Sequence, residues 1–367
     1  GLKRNLSGRH IQLIALGGSI GTGLFIGSGQ NLATGGPGSL MLGFIIVAVC
    51  VILTMVSLGE LAAVLPVSGS FCTYSVRFLD PSWGFAMGWN YWLQWLAAFP
   101  LEATAVTIVI SFWDKDEAVP RGVWVAIYLV LMMSIHLVGV RGYGEFEFLA
   151  ALIKILGCIG FIIACVVIDV GGSPRGEYLG AHSWHHPPPF LNGFKGFCSV
   201  FITAAFAYSG TEIVGIAAAE SSNPRKYIPR ATKQVVGRVL LFYIISILMI
   251  TFIVPSDTKS LMGDSNDPSS SPFVIALQQG QINALPQIFN VIILISALSV
   301  GNASVYGGSR TLLSLAELGM APKIFTYVDR KGRPLPAMFV SFLFGLLGFL
   351  IYASDPNTIF DLSLIHI

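Results

Sequence analysis

Apolar runs of about 18 residues or more, long enough for a helix to cross a bilayer, recur along the chain. They lie at 11–32, 39–64, 84–112, 122–140, 147–169, 194–219, 236–254, 286–314 and 336–353. They predict nine membrane-spanning helices. A tenth run starts at Thr358 and has only ten residues by Ile367. The expected fold is an all-α polytopic membrane protein, cut off within its tenth helix.

Two of these runs are interrupted. The first contains Gly17-Gly18-Ser19-Ile20-Gly21-Thr22-Gly23 at its centre, where glycine is least able to keep a helix regular. Two readings fit the cluster. Small residues allow helices to pack closely, and a broken helix at membrane depth frees backbone groups that must line a cavity or meet a ligand. The sixth run contains a second interruption, Ala204-Ala205-Phe206-Ala207-Tyr208-Ser209-Gly210-Thr211-Glu212. The second comes five spans after the first, so five helices followed by five more would form halves of opposite topology, residues 1–170 and 171–367. Paired interruptions at corresponding places in inverted repeats point to a substrate site, which favours the second reading.

Lysine and arginine set the orientation. The N-terminal segment and the connections on its side carry 14 of them, Arg225, Lys226, Arg230, Lys233 and Arg238 included, against five on the opposite side. The N-terminus is therefore expected in the cytoplasm. The two long outer connections, 170–193 and 255–285, read as irregular loops.

Composition narrows the class further. The chain is 54% hydrophobic and 11% charged, where an ordinary soluble domain has about 25% charged residues. Forty glycines and nineteen prolines within apolar runs suit broken helices better than the alternating strands of a barrel. A net charge of +2 gives no basis for a nucleic-acid partner. The five cysteines lack metal-ligand spacing, and His182, His185 and His186 stand beside three prolines with no acidic partner, so no metal or cofactor is expected. The first apolar run is too long for a cleavable signal peptide.

A zwitterionic substrate needs donors for one end and acceptors for the other. N–H groups opening a half-helix favour a carboxylate, and carbonyls closing one favour an ammonium. The carboxylate is assigned to Gly21, Thr22 and Gly23, with the Ser19 and Thr22 hydroxyls, and the ammonium to the carbonyls of Phe206, Ala207 and Tyr208; Gly210 completes the set. Charges at membrane depth are functional candidates by default, and four stand out: Glu60, Glu102, Lys154 and Glu212. Glu212 is the expected proton carrier. Lys154 either snorkels toward the cytoplasm or places its ammonium where a coupling cation would sit. Phe206 and Tyr208 form either an aromatic gate or ordinary core. Glu102, Asn302, Ser304 and Tyr306 are expected at the cavity wall, with Glu60 in a structural pair.

The segment Leu2-Lys3-Arg4 through Arg9-His10-Ile11-Gln12, with the glycine cluster and Leu24-Phe25-Ile26-Gly27-Ser28-Gly29 after it, closely resembles the opening of amino acid permeases of the amino acid, polyamine and organocation superfamily. Gly35-Gly36-Pro37, Gly59-Glu60, Phe206 through Glu212, Ala218-Ala219-Glu220, Asn223-Pro224 and Gly332-Arg333-Pro334 are similar to further motifs of that family. Ile228-Pro229-Arg230-Ala231 is most like its fungal plasma-membrane branch. The resemblance implies inverted five-helix repeats of the LeuT type with broken first and sixth helices. It also implies proton symport of amino acids driven by the proton gradient, Glu212 as the helix-six glutamate, and Lys154 as the lysine some members use in place of sodium. The expected partners are an amino acid and the lipid bilayer, with no obligate protein partner. An amino acid sensor and a non-transporting permease fragment are the alternatives. An enzyme is not expected, because no nucleophile, base or metal set shares one cavity.

Overall fold

The structure, a computed structural model, describes residues 6–17, 20–114, 116, 118–261 and 271–352, with 15–17 and 351–352 described by backbone only. Among the described residues the regular structure is helical, apart from an isolated parallel bridge between Leu6 and Ser221. The helices are α1 (Gly8–Gly17), α2 (Gly23–Val64), α3 (Phe71–Phe78), α4 (Pro81–Ile110), α5 (Arg121–Val138), α6 (Val140–Asp169), α7 (Gly193–Tyr208), α8 (Ile213–Ala217), α9 (Pro224–Ile253), α10 (Pro272–Gln279), α11 (Ala284–Glu317) and α12 (Leu335–Leu350). Seven of the described stretches are long and apolar enough to cross a bilayer.

The expected spans map onto these helices with local differences, and the ninth, 336–353, corresponds to α12, which at Leu335–Leu350 is shorter than those seven. The first is split: α1 ends at Gly17, and the chain becomes helical again only near Gly23. The rest of that span and the whole second span form α2, which bends at Gly36, where φ is +79°. Only glycine adopts that backbone cheaply, and a Cβ there would stand 2.7 Å from the Pro189 carbonyl oxygen. The expected tenth helix falls outside the described residues.

Two expectations need correction. Helix α9 starts at Pro224, about three turns before the predicted span, because Asn223 caps it by accepting the Lys226 amide at 3.3 Å. Arg225, Lys226, Arg230 and Lys233 are therefore helical, and Arg238 is buried within the bundle rather than exposed in a cytoplasmic connection. Residues 272–279 are also not loop. They form α10, whose Phe273 packs edge-on to Phe25 at 4.9 Å and against Phe161 at 4.5 Å. A local apolar run of only Phe273 to Leu277 is too short to signal a helix without its tertiary partners.

The core is built on α4, α6 and α11, with α6 packed against α1, α9 and α11. Small residues let the backbones approach. Added Cβ atoms on α11 would stand 1.9 Å from the Tyr128 hydroxyl oxygen at Gly301 and 3.0 Å from Trp95 at Gly307. Asp80 caps α4 by accepting the Ser82 amide at 2.8 Å, and this bond holds its carboxyl below the usual range. Leu53, Val130, Leu156 and Ile163 lie on the exposed apolar faces, as expected of a bundle surface in lipid.

Candidate functional site

In the first break, Ile20 is non-helical and Gly21 is a bend whose carbonyl accepts the amides of Leu24 and Phe25, both at 3.2 Å. The amides of Gly21, Thr22 and Gly23 lie at the opening of the following helical stretch, whose first N–H groups lack an intrahelical partner. Gly18 and Ser19 lie outside the described residues, so the expected Ser19 contribution is not placed.

The second break follows Tyr208. Ser209 turns extended (φ −57°, ψ 147°), Gly210 takes φ +89°, and α8 starts at Ile213. Each of the three assigned carbonyls already accepts a bond. Ser209 N donates to Phe206 O at 3.1 Å, the Tyr243 hydroxyl to Ala207 O at 3.0 Å, and the Thr211 hydroxyl to Tyr208 O at 2.6 Å. A carbonyl oxygen has a second lone pair, so Phe206 O and Ala207 O each keep one acceptor position, whereas Tyr208 O also accepts the Thr211 amide at 3.4 Å.

The two breaks touch. A Cβ on Gly23 would stand 2.6 Å from Phe206 Cδ1 and 3.0 Å from Ala207 Cα. The close-packing and broken-helix readings of the glycine cluster thus meet at one residue. Between the breaks lies a cavity of about 20 Å³ whose lining includes Thr22, Trp95, Glu102, Phe206 and Ser209. That volume holds about one water molecule, so an amino acid fits only after the walls separate.

Glu102 belongs to this cavity. It is fully buried and accepts the Thr22 hydroxyl at 2.7 Å, while its Oε2 has no partner among the described residues. Glu212 accepts the Tyr91 hydroxyl at 2.9 Å and the Gly210 amide at 3.2 Å. It opens onto a larger groove of about 990 Å³ between α2, α3, α4 and α7, which shares Gln94, Phe206 and Ser209 with the cavity. Lys154 is buried and does not snorkel. Its ammonium donates to Ile20 O at 3.1 Å, inside the first break, and to Ser299 Oγ at 2.8 Å.

Other expectations are relocated. Asn302 turns away from the cavity and donates to Glu147 at 3.0 Å, and Ser304 bonds the Val300 carbonyl of its own helix at 2.8 Å. Helix α11 reaches the cavity through Val300. Tyr306 stacks on Tyr143 at 4.0 Å and donates to Glu220 at 3.3 Å. Tyr208 is held by a bond to Phe44 O at 3.2 Å and by stacking on Tyr243 at 4.5 Å, so of the expected gate pair only Phe206 lines the cavity between the breaks. Glu60 is exposed.

The residues that sequence reasoning passed over are Glu147, Ser299 and Arg238. Glu147 lies seven residues before Lys154, two helical turns on the same face, and that spacing was the available signal. Arg238 was hidden by the misplaced start of α9; it donates to the Thr211 hydroxyl at 2.7 Å, beside the second break.

One end of the bundle is closed by longer-range contacts. Leu6 N donates to Glu220 O and Ser222 N to Leu6 O, both at 3.1 Å. Arg9 pairs with Glu145 at 2.5 Å, and the buried Arg310 pairs with Glu220 at 2.9 Å. Arg310 also lies over the Tyr306 ring at 4.0 Å. Among the described residues no group of three or more His, Cys, Asp or Glu side chains is placed to hold a metal ion.

Two broken membrane helices meeting at a small cavity define a multi-pass membrane protein of the LeuT-like fold. The structure of a Na+-coupled sialic acid symporter in a substrate-bound outward-open state shares the fold, with a TM-score of 0.66 at 11% identity, covering 98% of this chain and 76% of that one. A family model described as amino acid permease matches residues 10–365, and the chain belongs to that family. It is 49% identical to the general amino-acid permease GAP2 of Candida albicans over 98% of this chain and 61% of the relative. To the general amino-acid permease GAP1 of Saccharomyces cerevisiae it is 47% identical, over 98% of this chain and 62% of the relative. The chain spans about three-fifths of the length of these curated relatives.

Proposed function

We propose that the protein is a secondary active transporter that carries amino acids by proton symport. The observation behind this reading is the meeting of Gly23 with Phe206 and Ala207, which puts the donor end of one half-helix opposite the acceptor end of another across a single cavity. The substrate carboxylate sits on the amides of Gly21, Thr22 and Gly23, and its ammonium on the remaining acceptor positions of the Phe206 and Ala207 carbonyls, with Glu102 Oε2 beside them. Glu212 and Lys154 couple the proton. Residues 1–170 and 171–367 act as two inverted repeats, the membrane is the plasma membrane, and the N-terminus is cytoplasmic. The substrate leaves chemically unchanged.

The test is uptake of radiolabelled amino acids by the full chain in liposomes under an imposed pH gradient. Accumulation that collapses with the gradient is expected. Specific binding without accumulation overturns the reading in favour of a sensor or a non-transporting permease fragment. Glu212→Gln is expected to abolish pH-driven accumulation, and full accumulation in that variant removes Glu212 from the proton role.

A further inference from the structure

Four fully buried polar side chains, two from α6 and two from α11, form one directional hydrogen-bonded line. Lys154 Nζ donates to Ser299 Oγ at 2.8 Å, Ser299 Oγ donates to Glu147 Oε2 at 2.8 Å, and Asn302 Nδ2 holds Glu147 Oε1 at 3.0 Å. At its other end Lys154 donates to the carbonyl of Ile20 within the first break. Seven residues of α6 separate Glu147 from Lys154, about 10 Å along the axis. Glu147 lies on the side of the helix start at Val140, the end where Arg9 pairs with Glu145. The serine hydroxyl bridges that distance and is already oriented as a relay, accepting from the ammonium and donating to the carboxylate.

We propose that Glu147 receives the coupling proton from Lys154 through the Ser299 hydroxyl, and that this transfer loosens the hold of Lys154 on the first broken helix. The inference rests on the proton-symport reading above. In the step, one Nζ–H bond of the ammonium breaks and its proton joins Ser299 Oγ, while the original hydroxyl proton passes to Glu147 Oε2. Lysine becomes a neutral amine, glutamate becomes a neutral acid, and serine is regenerated with its hydrogen turned toward Lys154. Two buried opposite charges disappear together, so no uncompensated charge is left in the bundle. A neutral amine is the weaker donor to Ile20 O, since charge-assisted bonds are about twice as strong as neutral ones.

Other titratable groups surround the line. Glu102 of α4, Arg238 of α9 and Cys158 on its own helix face Lys154. Tyr143 lies one turn before Glu147 and stacks on Tyr306 of α11, with Arg310 and Glu220 next to it. His136 of α5 meets the Asn302 carbonyl at 3.2 Å, and the His10 ring of α1 faces Gly144. None of these stands between Lys154 Nζ and Glu147 in the hydrogen-bonded sequence.

The experiment compares two readouts in liposomes containing the full chain: accumulation of labelled amino acid under a pH gradient, and exchange of labelled for unlabelled amino acid at equal pH, which needs no net proton release. Glu147→Gln and Ser299→Ala are expected to lower accumulation by about a hundredfold, the scale of losing a positioned proton acceptor, and to leave exchange near wild type. Ser299→Thr and Glu147→Asp are expected to recover accumulation in part. Wild-type accumulation in Glu147→Gln, or accumulation and exchange falling together in both Glu147→Gln and Ser299→Ala, overturns the proposal. If Glu147→Gln does not fold, the contrast between Ser299→Ala and Ser299→Thr decides. Failure of the unaltered chain to accumulate substrate under the gradient is a failure of the symport reading itself and shows before any variant is compared.

Discussion

Gly23 and Phe206, on the two broken helices, approach so closely that the smallest side chain on Gly23 would stand 2.6 Å from the Phe206 ring and 3.0 Å from the Ala207 backbone. The ring can give way, but the backbone cannot without moving the second break. Overpacking of this kind costs about 1–3 kcal/mol, so Gly23→Ala is expected to weaken substrate affinity by roughly tenfold and Gly23→Val to abolish it. Phe206→Ala in the Gly23→Ala background should restore part of the loss. Competition binding at matched surface expression measures this, and unchanged affinity in Gly23→Val would falsify the contact's role.

Thr22 and Glu102 form the polar wall of the cavity. Thr22→Val removes a hydrogen bond to a buried carboxyl, a loss of about 1–3 kcal/mol, while Thr22→Ser keeps it. Substrate affinity is expected to fall in the valine variant and to hold in the serine variant. Equal affinities in the two would assign the Thr22 role to its backbone amide alone.

Gly210 sits at φ +89° and its amide holds Glu212. Gly210→Ala forces a side chain into a left-handed conformation that costs about 1–2 kcal/mol. A drop of several degrees in the Tm of the detergent-solubilised protein is expected, together with weakened pH-driven accumulation. A variant as stable as wild type would show that the chain adopts another backbone there.

The Arg310–Glu220 pair is buried on both sides. Removing one partner leaves an uncompensated buried charge and costs about 3–5 kcal/mol, so Arg310→Met and Glu220→Gln are each expected to unfold at markedly lower temperature. The double variant should lose less than the sum of the two. Strict additivity in that thermal cycle would rule out the coupling.

Asp329 lies in the connection between α11 and α12, outside the membrane. Desolvation pushes its carboxyl up, but bonds from the Arg333 amide at 2.8 Å, Arg333 Nε at 2.7 Å and the Lys331 amide at 2.9 Å outweigh this and hold it below the ordinary value. A carboxyl lowered in the folded state contributes stability that is complete above the unfolded value and lost as pH falls through the folded one. The Tm gap between wild type and Asp329→Asn is therefore expected to be constant near neutral pH and to shrink in acid. A gap that persists below the carboxylate range would locate the effect elsewhere.

Most of the membrane architecture was legible in the sequence, because a bilayer demands long uninterrupted apolar runs and tolerates exceptions only where backbone groups find partners. Gly17 to Gly23 and Phe206 to Glu212 announced both breaks for that reason. The starts of α9 and α10 were not legible. The first depends on the Asn223 cap and the second on Phe25 and Phe161, which come from other helices.

The sequence by itself located the long apolar helices, the two breaks and three of the charges within the bundle, Glu102, Lys154 and Glu212, but not Glu147 or Arg238. Only the tertiary structure decided which groups those charges meet. Thr22 and Glu102 are 80 residues apart, Lys154 and Ser299 are 145 apart, and Ser299 and Glu147 are 152 apart. Such pairings follow from how helices rotate and slide against one another, which is set by glycine and side-chain volumes summed over whole interfaces rather than by any local pattern.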